Sequence, residues 1–123
     1  MSSVIKVLIV DDEPDICYFL SRNLSKRGFI TASSNTLAAA EKQLEMSTPD
    51  ILLLDNHLPD GRGMDFAAKI NDKYPELKIV MITSHDLPPD RAKAYSNGID
   101  FFLAKPFTID EINQVVDFFT NTR

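Results

Sequence analysis

The stretch VLIVDDEP, residues 7–14, has four apolar residues directly before three acidic residues and a proline. Four consecutive apolar residues predict a β-strand that is buried on both faces, as strands of parallel sheets are. Asp12 can act as the N-cap of a helix, Pro14 suits an early helical position, and Asp15 puts negative charge where the helix dipole favours it. The stretch therefore predicts a buried strand, an acidic loop and the start of a helix.

The alternation of strand and helix continues outward from this stretch. Apolar runs of strand length predict strands at Ile5–Val10, Phe29–Ser33, Ile51–Leu54, Lys78–Ile82 and Asp100–Leu103. Helical spacing predicts a first helix that stops at Gly28, and further helices at Leu37–Met46, Met64–Lys73, about Pro89–Asn97 and Ile109–Thr120. This order predicts an α/β fold, an open parallel sheet covered by helices on both sides, whose strand order the periodicity does not reveal.

Two of the predicted helices have a clear apolar face. The face consists of Ile16, Phe19, Leu20 and Leu24 in the first helix, and of Ile109, Ile112, Val116 and Phe119 in the last. Both faces should pack against the sheet. Phe118 points away from the face of the last helix, so we expect its side chain to be exposed.

Length and charge narrow the class of protein. The chain has 123 residues with 13 basic and 18 acidic side chains, a net charge of −5, and shows no repeat or linker, which predicts one domain over residues 1–123. The acidic balance argues against direct nucleic acid binding and membrane-surface binding. No apolar run is long enough to span a bilayer, and no signal peptide is evident. With Cys17 as the only cysteine, we expect a cytoplasmic protein without an internal disulfide.

Polar side chains follow the predicted strands at the edge where open parallel sheets bind ligands. They are Asp11 and Asp12 after the first strand, Asp55 after the third, Thr83 and Ser84 after the fourth, and Lys105 with Pro106 after the fifth. Three neighbouring carboxylates repel one another and need a cation. Because hard oxygen ligands with open coordination positions suit Mg²⁺ and a phosphate oxygen, the pattern predicts a magnesium site, with Lys105 as a second positive charge.

Each of these residues also has an ordinary structural explanation. Asp12 alone would be a helix cap, Asp55 a turn residue, Thr83 a strand-end residue and Lys105 a solvated surface lysine. The functional interpretation depends on the combination of Asp-Asp, Asp, Thr and Lys-Pro at the ends of four different strands.

In this combination the sequence resembles the receiver domain of bacterial two-component response regulators. The matching segments are VLIVDDEP (7–14), LDNHLPDGRG (54–63), MITS (81–84) and FLAKPF (102–107), and the resemblance extends over the whole chain. Leu58 and Ser84 depart from the commonest family pattern, which has methionine and alanine there, without changing the chemistry. The resemblance implies a flavodoxin-like (βα)5 three-layer sandwich with a five-stranded parallel sheet in the order 2-1-3-4-5.

The resemblance also implies the chemistry. Asp55 would be the phosphoacceptor, which takes a phosphoryl group from the histidine of a sensor kinase or of a histidine phosphotransfer protein. Mg²⁺ would be the cofactor, bound directly by Asp12, mainly through water by Asp11, and also by Asp55 and the carbonyl of His57. Such a protein is not an enzyme in the usual sense, because it catalyses only its own phosphorylation and dephosphorylation.

The remaining implied roles concern the response to phosphorylation. Lys105 would contact the phosphoryl oxygens, Thr83 would hydrogen-bond them, and Phe102 would change rotamer as Thr83 moves. The Lys105–Pro106 peptide bond would be cis. The surface of the fourth helix, fifth strand and fifth helix would then pass the signal to an unknown output domain or protein.

Two histidines flank the predicted site. His57 and His85 stand two residues after Asp55 and Thr83, where members of the resembled family tune hydrolysis of the phosphoryl group. The alternative explanation is that each histidine is a solvated loop residue. We expect the pair to shield or orient the attacking water.

The last helix carries a further prediction. Phe118, with Val115 and Tyr95, should form an apolar patch that pairs with an output protein or with a second receiver after phosphorylation, the latter as a homodimer. A single exposed phenylalanine is common in proteins and can be without function.

Three other protein classes fit part of the pattern. A phosphatase of the haloacid dehalogenase type also uses a strand-end aspartate and Mg²⁺, but its second aspartate would stand at His57. A flavodoxin binds its cofactor phosphate after the first strand, where the acidic residues 11–13 would repel it. A receiver that has lost phosphorylation should lack Asp55, Asp12 or Lys105, and all three are present. The sequence names neither kinase nor output, and it fits a stand-alone receiver or one domain of a longer protein.

Overall fold

The structure, a computed structural model, describes residues 4–84, 92 and 95–120. His85 and most of the predicted fourth helix lie outside the described residues. The strands are β1 (Lys6–Val10), β2 (Ile30–Ser34), β3 (Ile51–Asp55), β4 (His57–Leu58), β5 (Gly61–Arg62), β6 (Lys78–Thr83) and β7 (Phe101–Ala104). The helices with defined bounds are α1 (Pro14–Lys26), α2 (Leu37–Met46), α3 (Gly63–Asn71) and the last helix (Ile109–Thr120).

Five parallel strands form the central sheet in the order β2-β1-β3-β6-β7. Counted without the short β4 and β5, this is the order 2-1-3-4-5, which confirms the expected flavodoxin-like topology. Each of the five strands lies within one residue of its predicted bounds. Because Val10 of β1 pairs with Leu54 of β3, Asp11 and Asp55 follow at the same level of the sheet, where the strand order reverses and ligands bind.

Helices cover both faces of the sheet. Successive strand residues point to opposite faces, so the apolar strands leave an apolar surface on each face for helices to pack against. Leu8 and Val10 of β1 belong to the core on the side of α2 and α3, whereas Val7 and Ile9 belong to the core on the side of α1 and the last helix. Every residue of β3 is buried, as its continuous apolar run predicts. The result is the expected three-layer sandwich.

The start of α1 differs from the prediction. Glu13, not Asp12, is the N-cap residue, and the Glu13 side chain makes no capping hydrogen bond. The side chain that holds this turn belongs to Asp11, whose Oδ1 accepts a 2.9 Å hydrogen bond from the Glu13 N–H. The predicted capping role of Asp12 is therefore wrong, and its carboxylate is available for other interactions.

The buried face of α1 is also rotated relative to the predicted face. Phe19 is 42% exposed, whereas Cys17 is buried together with Leu20 and Leu24. Since residues three and seven positions after Cys17 lie on the same side of a helix, these three residues form the face that packs on the sheet. Ile16 is partly buried at the margin of this face.

The last helix has its predicted bounds, and a capping box explains its start. Thr108 Oγ1 accepts a 3.1 Å hydrogen bond from the Glu111 N–H, and Glu111 Oε1 accepts a 2.8 Å hydrogen bond from the Thr108 N–H. Ile112 and Val116 are buried as predicted. None of the described helices is long and apolar enough to cross a membrane.

A short hairpin that the sequence analysis does not predict follows β3. His57 of β4 pairs with Arg62 of β5, and Leu58 pairs with Gly61. Strands of two residues give no periodic signal in a sequence. The turn depends on Gly61, whose φ of 150° lies in a region that favours glycine. Directly after the hairpin, α3 begins one residue before its predicted start and ends two residues before its predicted end.

Candidate functional site

Three carboxylates meet at the carboxyl ends of β1 and β3. One oxygen each of Asp11, Asp12 and Asp55 lies within 4.8 Å of the other two. Asp11 and Asp55 are buried, with exposed fractions of 2% and 5%, whereas Asp12 is exposed. The structure thus brings together the carboxylates that the sequence predicts as neighbours. Their oxygens are the type of ligand that a hard divalent cation such as Mg²⁺ prefers.

Lys105 brings a positive charge into the same cleft from the end of β7. Its Nζ lies 3.1 Å from Asp11 Oδ2, 3.6 Å from Asp55 Oδ1 and 3.7 Å from Glu13 Oε1. The backbone N–H of Lys105 donates a 2.8 Å hydrogen bond to the backbone carbonyl of Thr83 on the neighbouring strand. Glu13 is a contact that the sequence analysis missed, although it is the third acidic residue of the run after β1.

The electrostatics of the cleft favour a further cation. Burial, followed by the charge of Asp11, raises the pKa of Asp55, and the opposing effects of Lys105 and of the His57 and Asn56 backbone N–H groups do not cancel this rise. Burial lowers the pKa of Lys105, but its hydrogen bond to Asp11 and the nearby carboxylates together outweigh burial and raise it. Lys105 therefore stays protonated, and a bound cation would relieve the remaining repulsion between carboxylates.

The loop after Asp55 is held in shape by Asn56. The Asn56 carbonyl accepts a 2.9 Å hydrogen bond from the Gly63 N–H, and Asn56 Oδ1 accepts a 3.0 Å hydrogen bond from the Met64 N–H. A Cβ atom on Gly63 would lie 2.3 Å from the Asp55 carbonyl oxygen, so only glycine fits at this position. The sequence analysis missed Asn56, because its partners lie seven and eight residues further along the chain.

Thr83 and Phe102 lie on neighbouring strands and on the same face of the sheet. Thr83 ends β6 and is almost fully buried, and Phe102 is buried in the core on the side of α2 and α3. Phe102 pairs with Met81, two residues before Thr83, so the three side chains point to one face. After β7, the Lys105–Pro106 peptide bond is cis, as expected.

An apolar groove of 450 Å³ adjoins the cleft. It is lined by Asp15, Ile16, Phe19, Ser84, Lys105, Pro106 and Phe107. The exposed ring of Phe19 is part of its wall. A larger cavity of 690 Å³ lies at the amino ends of β3 and β6 and contains none of the candidate residues. Ligands of open parallel sheets bind at the carboxyl ends, so the acidic cleft is the candidate site.

The predicted apolar patch on the last helix needs one correction. Phe118 is 62% exposed, as predicted, and Tyr95 is 48% exposed. Val115 is buried, because it lies three residues after Ile112 and beside Val116 on the face that packs against the sheet. Val115 is therefore not part of an exposed patch.

Comparisons with known proteins agree with this fold. The model of the response regulator receiver domain matches residues 7–117. The chain is 36% identical to the probable transcriptional regulatory protein TcrX of Mycobacterium tuberculosis, over 88% of this chain and 46% of TcrX. It is 33% identical to the response regulator protein PilR of Pseudomonas aeruginosa, over 90% of this chain and 25% of PilR. The chain thus spans less than half the length of these relatives.

A solved structure supports the fold independently. The structure of a two-component response regulator from Clostridium difficile matches with a TM-score of 0.92, covering 95% of this chain and 96% of that chain. At 24% identity, this likeness supports the fold alone. Together with the match of the family model over most of the chain, it leads to one conclusion: the chain belongs to the response regulator receiver domain family.

Proposed function

We propose that this protein is a phosphoacceptor of a two-component phosphorelay and that Asp55 receives the phosphoryl group. The observation that carries the proposal is the cleft itself, in which the buried Asp55 carboxylate lies 3.6 Å from the ammonium group of Lys105 and within 4.8 Å of two further carboxylates. The donor would be a phosphohistidine on a sensor kinase or on a histidine phosphotransfer protein.

The transfer needs positioning and charge neutralisation rather than a general base. An oxygen of the Asp55 carboxylate attacks phosphorus, the bond from phosphorus to the donor imidazole nitrogen breaks, and its electron pair stays on that nitrogen. Because Asp55 is already an anion, no proton has to be removed from the nucleophile. Lys105 offsets the charge of the phosphoryl oxygens. Dephosphorylation is a separate step, in which water attacks the phosphorus of the acyl phosphate, the bond from phosphorus to the Asp55 oxygen breaks, and phosphate and the Asp55 carboxylate are released.

The acidic cluster fits Mg²⁺. The residues that would hold the ion are Asp12, Asp11 and Asp55 through their carboxylates and His57 through its carbonyl. The oxygen donors are of the preferred type, and the raised pKa of Asp55 indicates that its charge is not fully compensated by Lys105. When bound, the ion supplies positive charge to the phosphoryl oxygens. His57 and His85 remain predicted influences on the lifetime of the phosphoryl group.

The apolar groove beside Lys105 supports docking of the phosphodonor. A histidine that reaches Asp55 must come close to Lys105, and the exposed ring of Phe19 lines the groove next to that lysine. Burial of one aromatic side chain contributes about 1.5–3 kcal/mol to association. An apolar helix face that carries the donor histidine would fit this groove.

The proposed output path runs from Thr83 at the end of β6 to the neighbouring edge strand β7 and the surface beside it. The Thr83 hydroxyl would hydrogen-bond the attached phosphoryl group, and Phe102, on the same face of the sheet, would change rotamer in response. The surface around β7 and the last helix would then change its affinity for an output protein or a second receiver. Phe101 on β7 and Phe118 on the last helix are exposed aromatic residues of this surface, and Tyr95, which precedes β7 in the chain, is exposed as well.

Phosphorylation can be tested with a small acyl phosphate as donor. We expect the chain, incubated with Mg²⁺ and acetyl phosphate, to gain the mass of one phosphoryl group, and Asp55→Asn to gain none. Asp72→Asn, the same change at an exposed position at the end of α3, should behave like the parent. A mass gain that persists in Asp55→Asn would contradict the proposal.

A further inference from the structure

Asp11 is bound to its surroundings through every one of its polar atoms. Its N–H donates a 3.1 Å hydrogen bond to the carbonyl of Ser34, Oδ1 accepts from the Glu13 N–H, and Oδ2 accepts from Lys105 Nζ. The remaining polar atom is the carbonyl oxygen of Asp11, which accepts hydrogen bonds from two further side chains. The two side chains that bind this carbonyl have no part in the proposed chemistry.

These two side chains are Asn35 and Cys17. Asn35 Nδ2 donates a 3.0 Å hydrogen bond to the Asp11 carbonyl from the loop between β2 and α2, and Cys17 Sγ donates one of 3.3 Å from the first half of α1. The two donors lie 3.9 Å from each other. The Asp11 carbonyl thus accepts hydrogen bonds from α1 and from the loop between β2 and α2. The Cys17 thiol is buried, and Asn35 lies at the surface.

The position of the Asp11 carbonyl affects the backbone conformation of Asp12 as well as that of Asp11. This carbonyl belongs to the peptide plane between Asp11 and Asp12, and rotation of that plane changes ψ of Asp11 and φ of Asp12 together. The Asp12 carboxylate is exposed, and among the residues that the structure describes no side-chain hydrogen bond or ion pair orients it. The direction of its side chain therefore depends on the backbone, and the backbone at this point is held by Asn35 and Cys17.

We propose that Asn35 and Cys17 are positioning residues for the divalent cation, which they serve by fixing the peptide plane that aims Asp12 into the cleft. This inference rests on the proposed function, since it assumes that Asp12 is a ligand of Mg²⁺. Neither residue touches the cation or the phosphoryl group. Their loss should weaken cation binding without preventing phosphorylation once the cation is saturating.

The test is a titration of the chain with MgCl2, followed by the chemical shifts of backbone amides. Loss of a residue that hydrogen-bonds a metal ligand commonly changes metal affinity by about 10–100-fold. We expect a change at the lower end of this range, because Asn35 and Cys17 act on Asp12 through the backbone. Asn35→Ala and Cys17→Ala should each raise the Mg²⁺ dissociation constant about threefold, and the double variant should raise it about tenfold. Cys17→Ser, which restores a donor, should approach the parent value.

Asn23→Ala is the matched control. Asn23 Nδ2 donates a 2.8 Å hydrogen bond to the carbonyl of Phe19, so the variant loses the same kind of bond on α1 away from the cleft. A parental dissociation constant in the Asn35→Ala and Cys17→Ala double variant would overturn the inference, and so would an equal weakening in Asn23→Ala. Amide spectra without metal show whether each variant is folded.

A second measurement separates this inference from the proposed function. Phosphorylation by acetyl phosphate should be slower in the double variant at low Mg²⁺ and should recover the parental rate at saturating Mg²⁺. A deficit that persists at saturation would overturn the positioning role. If the parent chain itself takes up no phosphoryl group, the proposed function fails, whatever the variants do.

Discussion

Asp55 is a carboxylate in an unfavourable environment for a charge. Burial and the neighbouring charge of Asp11 raise its pKa above the ordinary value of 3.8. An acid whose pKa is higher in the folded than in the unfolded state destabilises the fold when it is charged. Stability is therefore lost as the pH rises from 3.8 through the folded-state pKa, and above that pKa the cost is present in full.

The substitution Asp55→Asn should therefore stabilise the protein in the absence of metal. The amide keeps an acceptor for the backbone N–H groups of His57 and Asn56 and removes the charge. We expect a gain of about 1 kcal/mol, which is roughly 3–6 °C in melting temperature. Thermal unfolding in EDTA at pH 7 measures it, with Asp72→Asn as control. A lower melting temperature for Asp55→Asn would count against a site of three mutually repelling carboxylates.

At the scale of residues, the sequence predicts the reacting groups better than the groups that support them. Their combination is readable because Asp11, Asp12, Asp55 and Lys105 recur together at the ends of three strands of one sheet. The role of Asn35 is not readable, since an amide in a surface loop has no distinctive pattern until folding brings it to the Asp11 carbonyl. The predicted capping role of Asp12 is wrong because the prediction relied on local sequence preference alone. In the structure, the side chain of Asp11 accepts the hydrogen bond at the start of α1.

At the scale of elements, the hairpin after β3 is fastened to α2. The Asp60 carboxylate accepts hydrogen bonds of 2.8 Å and 3.0 Å from the N–H groups of Leu37 and Ala38 in the first turn of that helix. Thr36 Oγ1 accepts a third from Ala39. The hairpin that carries His57 is thus connected to a helix that packs beside α3 on the same face of the sheet.

Replacement of Asp60 by Asn should lower the free energy of unfolding at pH 7. Hydrogen bonds from Leu37 and Ala38 lower the pKa of Asp60 below its ordinary 3.8, so its contribution is present at neutral pH and is lost as the pH falls through the folded-state pKa. Denaturant unfolding should show a difference between parent and variant at pH 7 that narrows below pH 3.8. Asp72→Asn serves as control. A difference that is constant with pH would contradict the role of the carboxylate charge.

Helices and strands are predicted more accurately when the apolar pattern that indicates them extends over more residues. The strands of the sheet and α2 were predicted within one residue, because a buried run or a helical face extends over several residues. The hairpin of β4 and β5 was missed, because each strand has two residues. The face of α1 was assigned to Phe19 instead of Cys17, since a large apolar residue near a binding groove looks like a core residue in a sequence.

At the scale of the whole molecule, Phe118 should be a contact between activated receivers. Its loss removes one buried aromatic side chain, about 1.5–3 kcal/mol, or roughly a 10- to 100-fold decrease in the association constant. Size-exclusion chromatography with a beryllofluoride phosphoryl mimic should show association of the parent and weaker association of Phe118→Ser. Tyr18→Ser, which removes an exposed aromatic residue from α1, should behave like the parent. Equal association of Phe118→Ser and the parent would contradict the contact.

The acidic cleft has a consequence for folding in the cell. Its members come from the ends of β1, β3, β6 and β7, and the hydrogen bond between Lys105 and Asp11 joins residues that are 94 positions apart. No single strand-helix unit can assemble the cleft around Asp55, since the charge of Lys105 reaches it only when β7, at the edge of the sheet, has paired. Under the proposed function, a chain that ends before Lys105, or in which β7 is unpaired, should accept no phosphoryl group from the relay.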